Sequence, residues 1–136
     1  MNYLLDTNIC IYLIKARPCE VLEEFEQHSV GEIGNSSITM AELQYGAEKS
    51  RQRKRNRQAL EQFLAPLVVA EFDASAAVAY GQIRALLEGR GSPGRALDTL
   101  IAAHALSLDA VLVTNNVREF SRIPELQVEN WVGEES

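Results

Sequence analysis

The sequence has little of what membrane, secreted or broadly nucleic-acid-binding proteins need. No apolar run in its 136 residues approaches the roughly 20 that a membrane-spanning helix requires, and no signal peptide opens the chain. Its two cysteines, Cys10 and Cys19, have no metal-binding or redox spacing, which is typical of reduced thiols. We therefore expect a cytoplasmic protein without membrane contact.

Positive charge is also scarce, and it is unevenly distributed. The net charge is −6 and the pI about 4.9, which argues against nonspecific nucleic-acid binding through a basic surface. Six of the 13 Lys and Arg residues fall within residues 49–57, and no lysine follows Lys54. Contact with a polyanion would therefore be local. The same run is also typical of a solvated helix face, so both interpretations stay open.

Short apolar runs alternate with helical patterns along the chain. The runs predicted as strands cover residues 3–5, 36–38, 67–72, 110–114 and 127–131. Such alternation predicts one α/β domain over residues 1–136, with a mostly parallel central sheet and helices on both faces. We expect the acidic C-terminal tail to be frayed.

Four acids occupy comparable places in this pattern. Asp6 and Glu119 follow predicted strands, Asp98 lies in the first turn of a predicted helix, and Glu42 completes a Thr39-x-x-Glu capping box. Each acid alone is explained by helix capping or by the helix dipole. Together, Asp6, Glu42 and Glu119 can converge at the carboxyl ends of parallel strands, where α/β proteins bind ligands. Position along the chain supports Asp98 least.

Clustered carboxylates repel one another unless a cation or a proton compensates. No histidine flanks the four acids. An oxygen-only site suits Mg²⁺ or Mn²⁺ and suits Zn²⁺ poorly.

Four ordered blocks resemble the signatures of the PIN-domain ribonucleases, above all those of the VapC toxins of bacterial VapBC toxin–antitoxin modules. The blocks are Leu5-Asp6-Thr7-Asn8, Met40-Ala41-Glu42-Leu43, residues 98–105 (DTLIAAHA) and residues 114–120 (TNNVREF). Residues 45–50, 81–84 and 130–131 resemble the same subgroup. The resemblance extends over nearly the whole chain and implies a PIN-like three-layer α/β/α fold.

The resemblance also implies an activity, a cofactor and a set of site residues. The activity is endoribonuclease cleavage that depends on Mg²⁺, with Mn²⁺ as a possible substitute. The catalytic and metal-binding set is Asp6, Glu42, Asp98 and Glu119. Residues expected to orient this set are Thr7, Asn8, Thr114 and Asn116. The expected RNA-binding residues are Lys49, Arg51, Arg53, Lys54, Arg55, Arg57, Arg84 and Arg95.

The chain departs from the family pattern in two places. Many relatives carry an acid where this chain has Asn116, and the residues 91–95 (GSPGR) displace a glycine of the loop before Asp98.

The implied substrate is RNA, with initiator tRNA cut in its anticodon loop as the specific expectation. The implied partners are a cognate VapB-type antitoxin and a second copy of the chain, in a homodimer and a higher toxin–antitoxin assembly. Two alternatives remain. A receiver-like Mg²⁺-binding domain would need a lysine after its last strands, and a noncatalytic module would use its acids only as helix caps.

Overall fold

A computed structural model describes residues 1–132, in which strands and helices alternate. The elements are β1 (Tyr3–Leu5), α1 (Thr7–Lys15), α2 (Cys19–Glu26), β2 (Ile33–Ser36), α3 (Ser37–Lys49), α4 (Arg53–Leu64), β3 (Val68–Ala70), α5 (Ala74–Gly89), α6 (Ala96–Ser107), β4 (Val111–Val113), α7 (Val117–Phe120) and β5 (Val128–Glu129). A short 3₁₀ helix, Val30–Glu32, precedes β2. The tail predicted to be frayed lies outside the described residues.

The five strands form one sheet in the order β3-β2-β1-β4-β5. Every pairing is parallel, so the carboxyl ends of all five strands meet at one edge. β1 is central, with Leu5 opposite Asn35 of β2 and Val113 of β4. The strand order reverses between β1 and β4, and in open α/β sheets this is where ligands bind. The predicted parallel α/β fold is confirmed.

Two apolar clusters, one on each face of the sheet, form the core. Leu4 and Leu5 are adjacent in β1 and both fully buried, and their side chains point to opposite faces because strand side chains alternate. Leu5 packs with residues of α1–α4, such as Ile9 and Leu60. Leu4 packs with residues of α5–α7, such as Ile101. The sheet is therefore the middle of three layers, as the resemblance implies.

The predicted position of β2 is wrong by about three residues. The strand covers Ile33–Ser36, although glycine and asparagine are poor strand formers. Gly34 has a steric reason to be there, because a Cβ on it would lie 2.5 Å from the carbonyl oxygen of Val68 in β3. Close pairing of β2 with β3 therefore outweighs local propensity.

The predicted capping box is also wrong. α3 begins earlier, with Ser36 as the N-cap, and the Ser36 hydroxyl accepts a hydrogen bond from the Ile38 amide at 3.0 Å. Thr39 lies inside the helix with its side chain buried. Glu42 is consequently in the second turn of α3, and capping does not explain it.

The remaining differences are small. β3 and β5 are shorter than the predicted strands, which covered residues 67–72 and 127–131. Among the described residues, no helix is long and apolar enough to cross a membrane.

Candidate functional site

Asp6 lies at the carboxyl end of the central strand, beside the point where the strand order reverses. Its amide donates to the Val113 carbonyl at 3.0 Å, and its carboxylate caps α1 by accepting from the Ile9 amide at 2.9 Å. Asp6 is only 6% exposed. Burial raises the pKa of Asp6 to about 6, although hydrogen bonds from Thr114 and Ile9 oppose this change. The negative charges of Asp98 and Glu42 raise this pKa further.

Glu42 reaches the same edge from α3. The Thr7 hydroxyl, in the first turn of α1, donates to Glu42 Oε1 at 2.6 Å. Because Thr7 follows Asp6 directly, this bond holds the Glu42 carboxylate beside the end of β1. Glu42 is half-buried, and its charge acts on both Asp6 and Asp98.

Asp98 joins the cluster from the first turn of α6, where sequence position alone supported it least. Burial raises the pKa of Asp98, and the nearby Arg95 guanidinium opposes that increase. The charges of Glu42 and Glu119 also raise this pKa. Packing of α6 against α5 and the sheet therefore brings Asp98 close to the acids that follow the strands.

Glu119 is held at the rim of the site by an arginine that the sequence patterns did not reveal. Arg122 Nη2 donates to Glu119 Oε1 at 2.5 Å, and Asp98, Glu119 and Arg122 line one narrow crevice with Gly94. The only sequence signal for Arg122 is its spacing of three residues from Glu119, just after the end of the short helix α7.

The four residues expected to orient the acids behave differently. Thr7 contacts Glu42, and the Thr114 hydroxyl bonds to Asp6. Asn116 is exposed, and its backbone amide donates to Thr114 Oγ1 at 3.0 Å. Because the Thr114 oxygen is the acceptor in this bond, the Thr114 hydroxyl proton is available to donate to Asp6. Asn8 is exposed on the first turn of α1.

The basic run 49–57 lies at the end of α3 and the start of α4. Glu48 pairs with Arg57 at 2.6 Å and with Arg53 at 3.7 Å. Arg51 and Lys54 are exposed and enter none of the ion pairs found among residues 1–132.

The other four expected RNA-binding residues have local partners. Lys49 lies over the Tyr45 ring, and Arg55 donates to Gln52 Oε1 at 3.2 Å. Arg84 donates to Glu88 and Tyr80, each at 2.9 Å. Arg95 is exposed beside Asp98, so of the eight it is the one whose charge acts on a candidate acid.

The donor set fits a hard divalent cation. Its groups are carboxylate oxygens, and the raised pKa of Asp6 reflects burial and like charge that a bound cation would offset. Within residues 1–132, no three His, Cys, Asp or Glu side chains are grouped closely enough to ligate one ion. Glu42 and Glu119 are hydrogen-bonded to Thr7 and Arg122 instead.

Comparison with known proteins identifies the family. The PIN domain profile matches residues 3–126. Ribonuclease VapC2 of Haemophilus influenzae is 47% identical over 132 residues, which cover 97% of this chain and 99% of that protein. The chain belongs to the PIN-domain family, in its VapC ribonuclease branch. It is also 45% identical over 131 residues to the tRNA(fMet)-specific endonuclease VapC of Shigella flexneri, with 96% of this chain and 98% of that protein covered.

Solved structures of VapC proteins share the fold closely. The structure of DNA-bound VapBC from Salmonella typhimurium superposes with a TM-score of 0.91 at 45% identity, covering 96% of this chain and 98% of that chain. VapBC2 from Rickettsia felis, bound to a promoter DNA fragment, gives 0.89 at 42% identity, covering 96% and 99%. The predicted PIN fold and ribonuclease class are thereby confirmed. PIN-domain ribonucleases generally depend on divalent metal ions, so the family and the donor set agree.

Proposed function

We propose that this VapC-branch protein is a toxin that hydrolyses phosphodiester bonds of initiator tRNA, using Mg²⁺ bound by Asp6, Glu42, Asp98 and Glu119. The observation that carries the proposal is the convergence of these carboxylates from β1, α3, α6 and α7 at one sheet edge. An acid whose pKa is raised by burial and by two neighbouring acids destabilises the fold when it is ionised, and a bound cation would offset that cost. Helix capping accounts for Asp6, and the helix dipole accounts for Asp98 and Glu119 in first turns, but the noncatalytic alternative leaves Glu42 in the second turn of α3 unexplained.

The side chains of this chain have distinct parts in the reaction. A divalent cation bound here would lower the pKa of a water and offset charge at the phosphate. Thr114 directs its proton to Asp6 and so favours the ionised carboxylate that ligation needs. Thr7 holds the Glu42 carboxylate in place by donating a hydrogen bond to it. Arg95, exposed beside Asp98, is placed to contact a phosphate of the substrate.

The experiment is cleavage of initiator tRNA by the parent, by Asp98→Asn and by Asp109→Asn, each with Mg²⁺ and with chelator. Asp109 is an exposed aspartate with φ of 53°, a backbone region that asparagine tolerates, so it controls for the same chemical change. We expect Asp98→Asn to be inactive and Asp109→Asn to match the parent. Mg²⁺-dependent cleavage by Asp98→Asn would refute the assignment of this acid. If the parent protein cleaves other RNAs in preference to initiator tRNA, only the proposed substrate is refuted.

The choice of initiator tRNA rests on the Shigella relative and on the local basic segment. An acidic protein needs a restricted positive surface to hold a large polyanion. Arg51 and Lys54 provide exposed positive charge at the start of α4. We propose that they contact phosphates flanking the cut, because α4 packs against α3, the helix that carries Glu42. A tRNA substrate would also place the protein in the cytoplasm.

The partner proposed for this chain is a VapB-type antitoxin, because the Salmonella and Rickettsia structures contain VapBC complexes. An apolar cavity of about 320 Å³ lies between α1, α3 and α4, with Ile11, Ile14 and Ala59 among its lining residues. Thr7 and Glu42 line the same cavity, so it opens towards the acids. We propose that an apolar antitoxin segment occupies it and places a basic side chain near Glu42. The antitoxin would then inhibit the site by covering it.

A further inference from the structure

Arg122 connects two segments that border the candidate site. On one side, its Nη2 donates to Glu119 Oε1 at 2.5 Å and its Nε donates to the Glu119 carbonyl at 3.1 Å. On the other side, its Nη1 donates to the Ser92 carbonyl at 2.7 Å and to Ser92 Oγ at 2.5 Å. All three guanidinium nitrogens therefore donate hydrogen bonds, either to Ser92, which comes before Asp98 in the chain, or to Glu119, which comes after it.

Ser92 belongs to the loop between α5 and α6, 30 residues before Arg122. Gly94 lies against the same ion pair, since a Cβ on it would be 3.3 Å from Glu119 Oε1 and 3.4 Å from Arg122 Nη2. α6 begins two residues later, and Asp98 is in its first turn. The loop that Arg122 holds thus leads directly into the helical turn that carries Asp98.

The chemistry of this contact requires arginine. A guanidinium is a planar fork that can serve a carboxylate and a carbonyl at once, whereas a lysine ammonium is a point charge on a flexible stem. The Arg122 and Glu119 side chains are 30% and 34% exposed, and partly exposed ion pairs contribute little to overall stability. The contact therefore acts mainly on local geometry, by fixing where the Glu119 carboxylate and the Ser92 loop lie.

We propose that Arg122 is a positioning residue of the ribonuclease site, which holds the Glu119 carboxylate and the loop before Asp98 so that both acids face one crevice. The inference rests on the proposed assignment of Asp98 and Glu119 to the site. It goes beyond that assignment by giving Arg122 two partners, Glu119 and the loop before Asp98.

Arg122→Lys is the decisive variant because it keeps the charge and removes the fork. A simple counter-charge role predicts that Arg122→Lys binds Mn²⁺ as the parent does. It also predicts that Arg122→Gln binds Mn²⁺ more tightly, because a positive charge has left an acidic cluster. Positioning predicts the opposite for both variants, namely weaker Mn²⁺ binding. Mn²⁺ serves as the probe because its binding to RNA-free protein can be followed by electron paramagnetic resonance.

The kinetic readout separates positioning from substrate binding. We expect each Arg122 variant to lower kcat by about tenfold or more at saturating metal, because small misplacement of reacting groups is costly, while KM for RNA changes less than about threefold. Arg118→Lys and Arg118→Gln are matched controls four residues earlier in the chain, since Arg118 is exposed on α7. They should leave both kcat and Mn²⁺ affinity unchanged. Ser92→Ala keeps the carbonyl contact and should give a smaller loss of kcat.

Arg122→Lys with parental kcat and Mn²⁺ affinity would overturn the inference. If Arg122→Lys does not fold, an unaltered kcat in Ser92→Ala would overturn it in the same way. Asp98→Asn, measured beside them, separates this inference from the proposed function. An inactive Asp98→Asn with a fully active Arg122→Lys refutes only the role of Arg122, whereas an active Asp98→Asn refutes the site itself.

Discussion

Asp6→Asn should stabilise the metal-free protein although it removes a helix cap. Burial, together with the charges of Asp98 and Glu42, raises the pKa of Asp6 from 3.8 to about 6. A tenfold change in an acid dissociation constant corresponds to about 1.4 kcal/mol, so the ionised Asp6 costs the folded state about 3 kcal/mol at neutral pH. Asparagine keeps the size and still accepts the Ile9 amide, and asparagine and aspartate are equivalent caps.

The expected gain is about 1 to 3 kcal/mol, since the neutral amide accepts hydrogen bonds less strongly than the carboxylate. At about 3 °C per kcal/mol for a domain of this size, Tm should rise by about 3 to 9 °C. The measurement is thermal and urea unfolding in chelator at pH 7.5. Asp73→Asn is the matched control, because Asp73 caps α5 in the same way, accepts from the Ala76 amide at 3.1 Å and is exposed. It should change Tm little or lower it slightly.

The pH dependence gives a second check with a definite sign. The folded-state pKa of Asp6 lies above the unfolded value, so the folded protein takes up a proton as the pH falls from about 6 towards 3.8. The cost of the charge is then relieved in the parent. The advantage of Asp6→Asn should therefore be largest above pH 6 and disappear near pH 4. An Asp6→Asn variant that melts below the parent at pH 7.5 without metal would refute the electrostatic reasoning.

Three other predictions follow from the same structure. Changing Arg51 and Lys54 together to Ala should weaken RNA binding and flatten its salt dependence by about two units of slope. Arg17→Ala, at an exposed arginine between α1 and α2, should leave the slope unchanged, as filter binding at several salt concentrations will show. Ala59→Glu should weaken antitoxin binding in a calorimetric titration because it puts a charge into the apolar cavity, and it should leave RNA cleavage unchanged. Tight antitoxin binding by this variant would exclude the cavity as the antitoxin-binding site. Burial lowers the pKa of His104, although the Asp73 charge opposes this change. The stability of the fold should therefore decrease as the pH drops below 6.5, and His104→Gln should lose that pH dependence in melting experiments.

Local sequence patterns predicted the central part of the fold well. The apolar run at residues 110–114 became β4 because a strand buried on both faces needs continuous apolar residues. Asp6 was placed correctly at the end of β1, since the break from Leu5 to a polar pair marks both the strand end and the helix cap. These features depend on neighbouring residues only.

The errors arose where distant contacts decide between local options. The sequence patterns placed Ser36 in a strand and made Thr39 the N-cap, because Glu42 completes a capping box. Pairing of β2 with β3 through Gly34 settles the choice in favour of Ser36. A 2.7 Å contact between Ser36 Oγ and His104 Nδ1, 68 residues away, supports the same choice.

Two features of the candidate site were beyond local reasoning for the same cause. Asp98 precedes no strand directly, and the packing of α6, a contact between distant segments, brings it to the other acids. Arg122 was missed because its partner Ser92 lies 30 residues away, in a loop whose glycines and proline predict freedom of the backbone and no particular contact.

Counting bound Mn²⁺ by electron paramagnetic resonance, in the absence of RNA, tests the central claim most directly. The claim is that the acids converging on the end of β1 form a divalent-metal site. The parent and Asp73→Asn should bind the ion with the same affinity, while Asp6→Asn, Glu42→Gln and Asp98→Asn should each bind it at least tenfold more weakly. Parental Mn²⁺ affinity in Asp98→Asn and Asp6→Asn would contradict the account, because the charges that define the site would then be irrelevant to the metal.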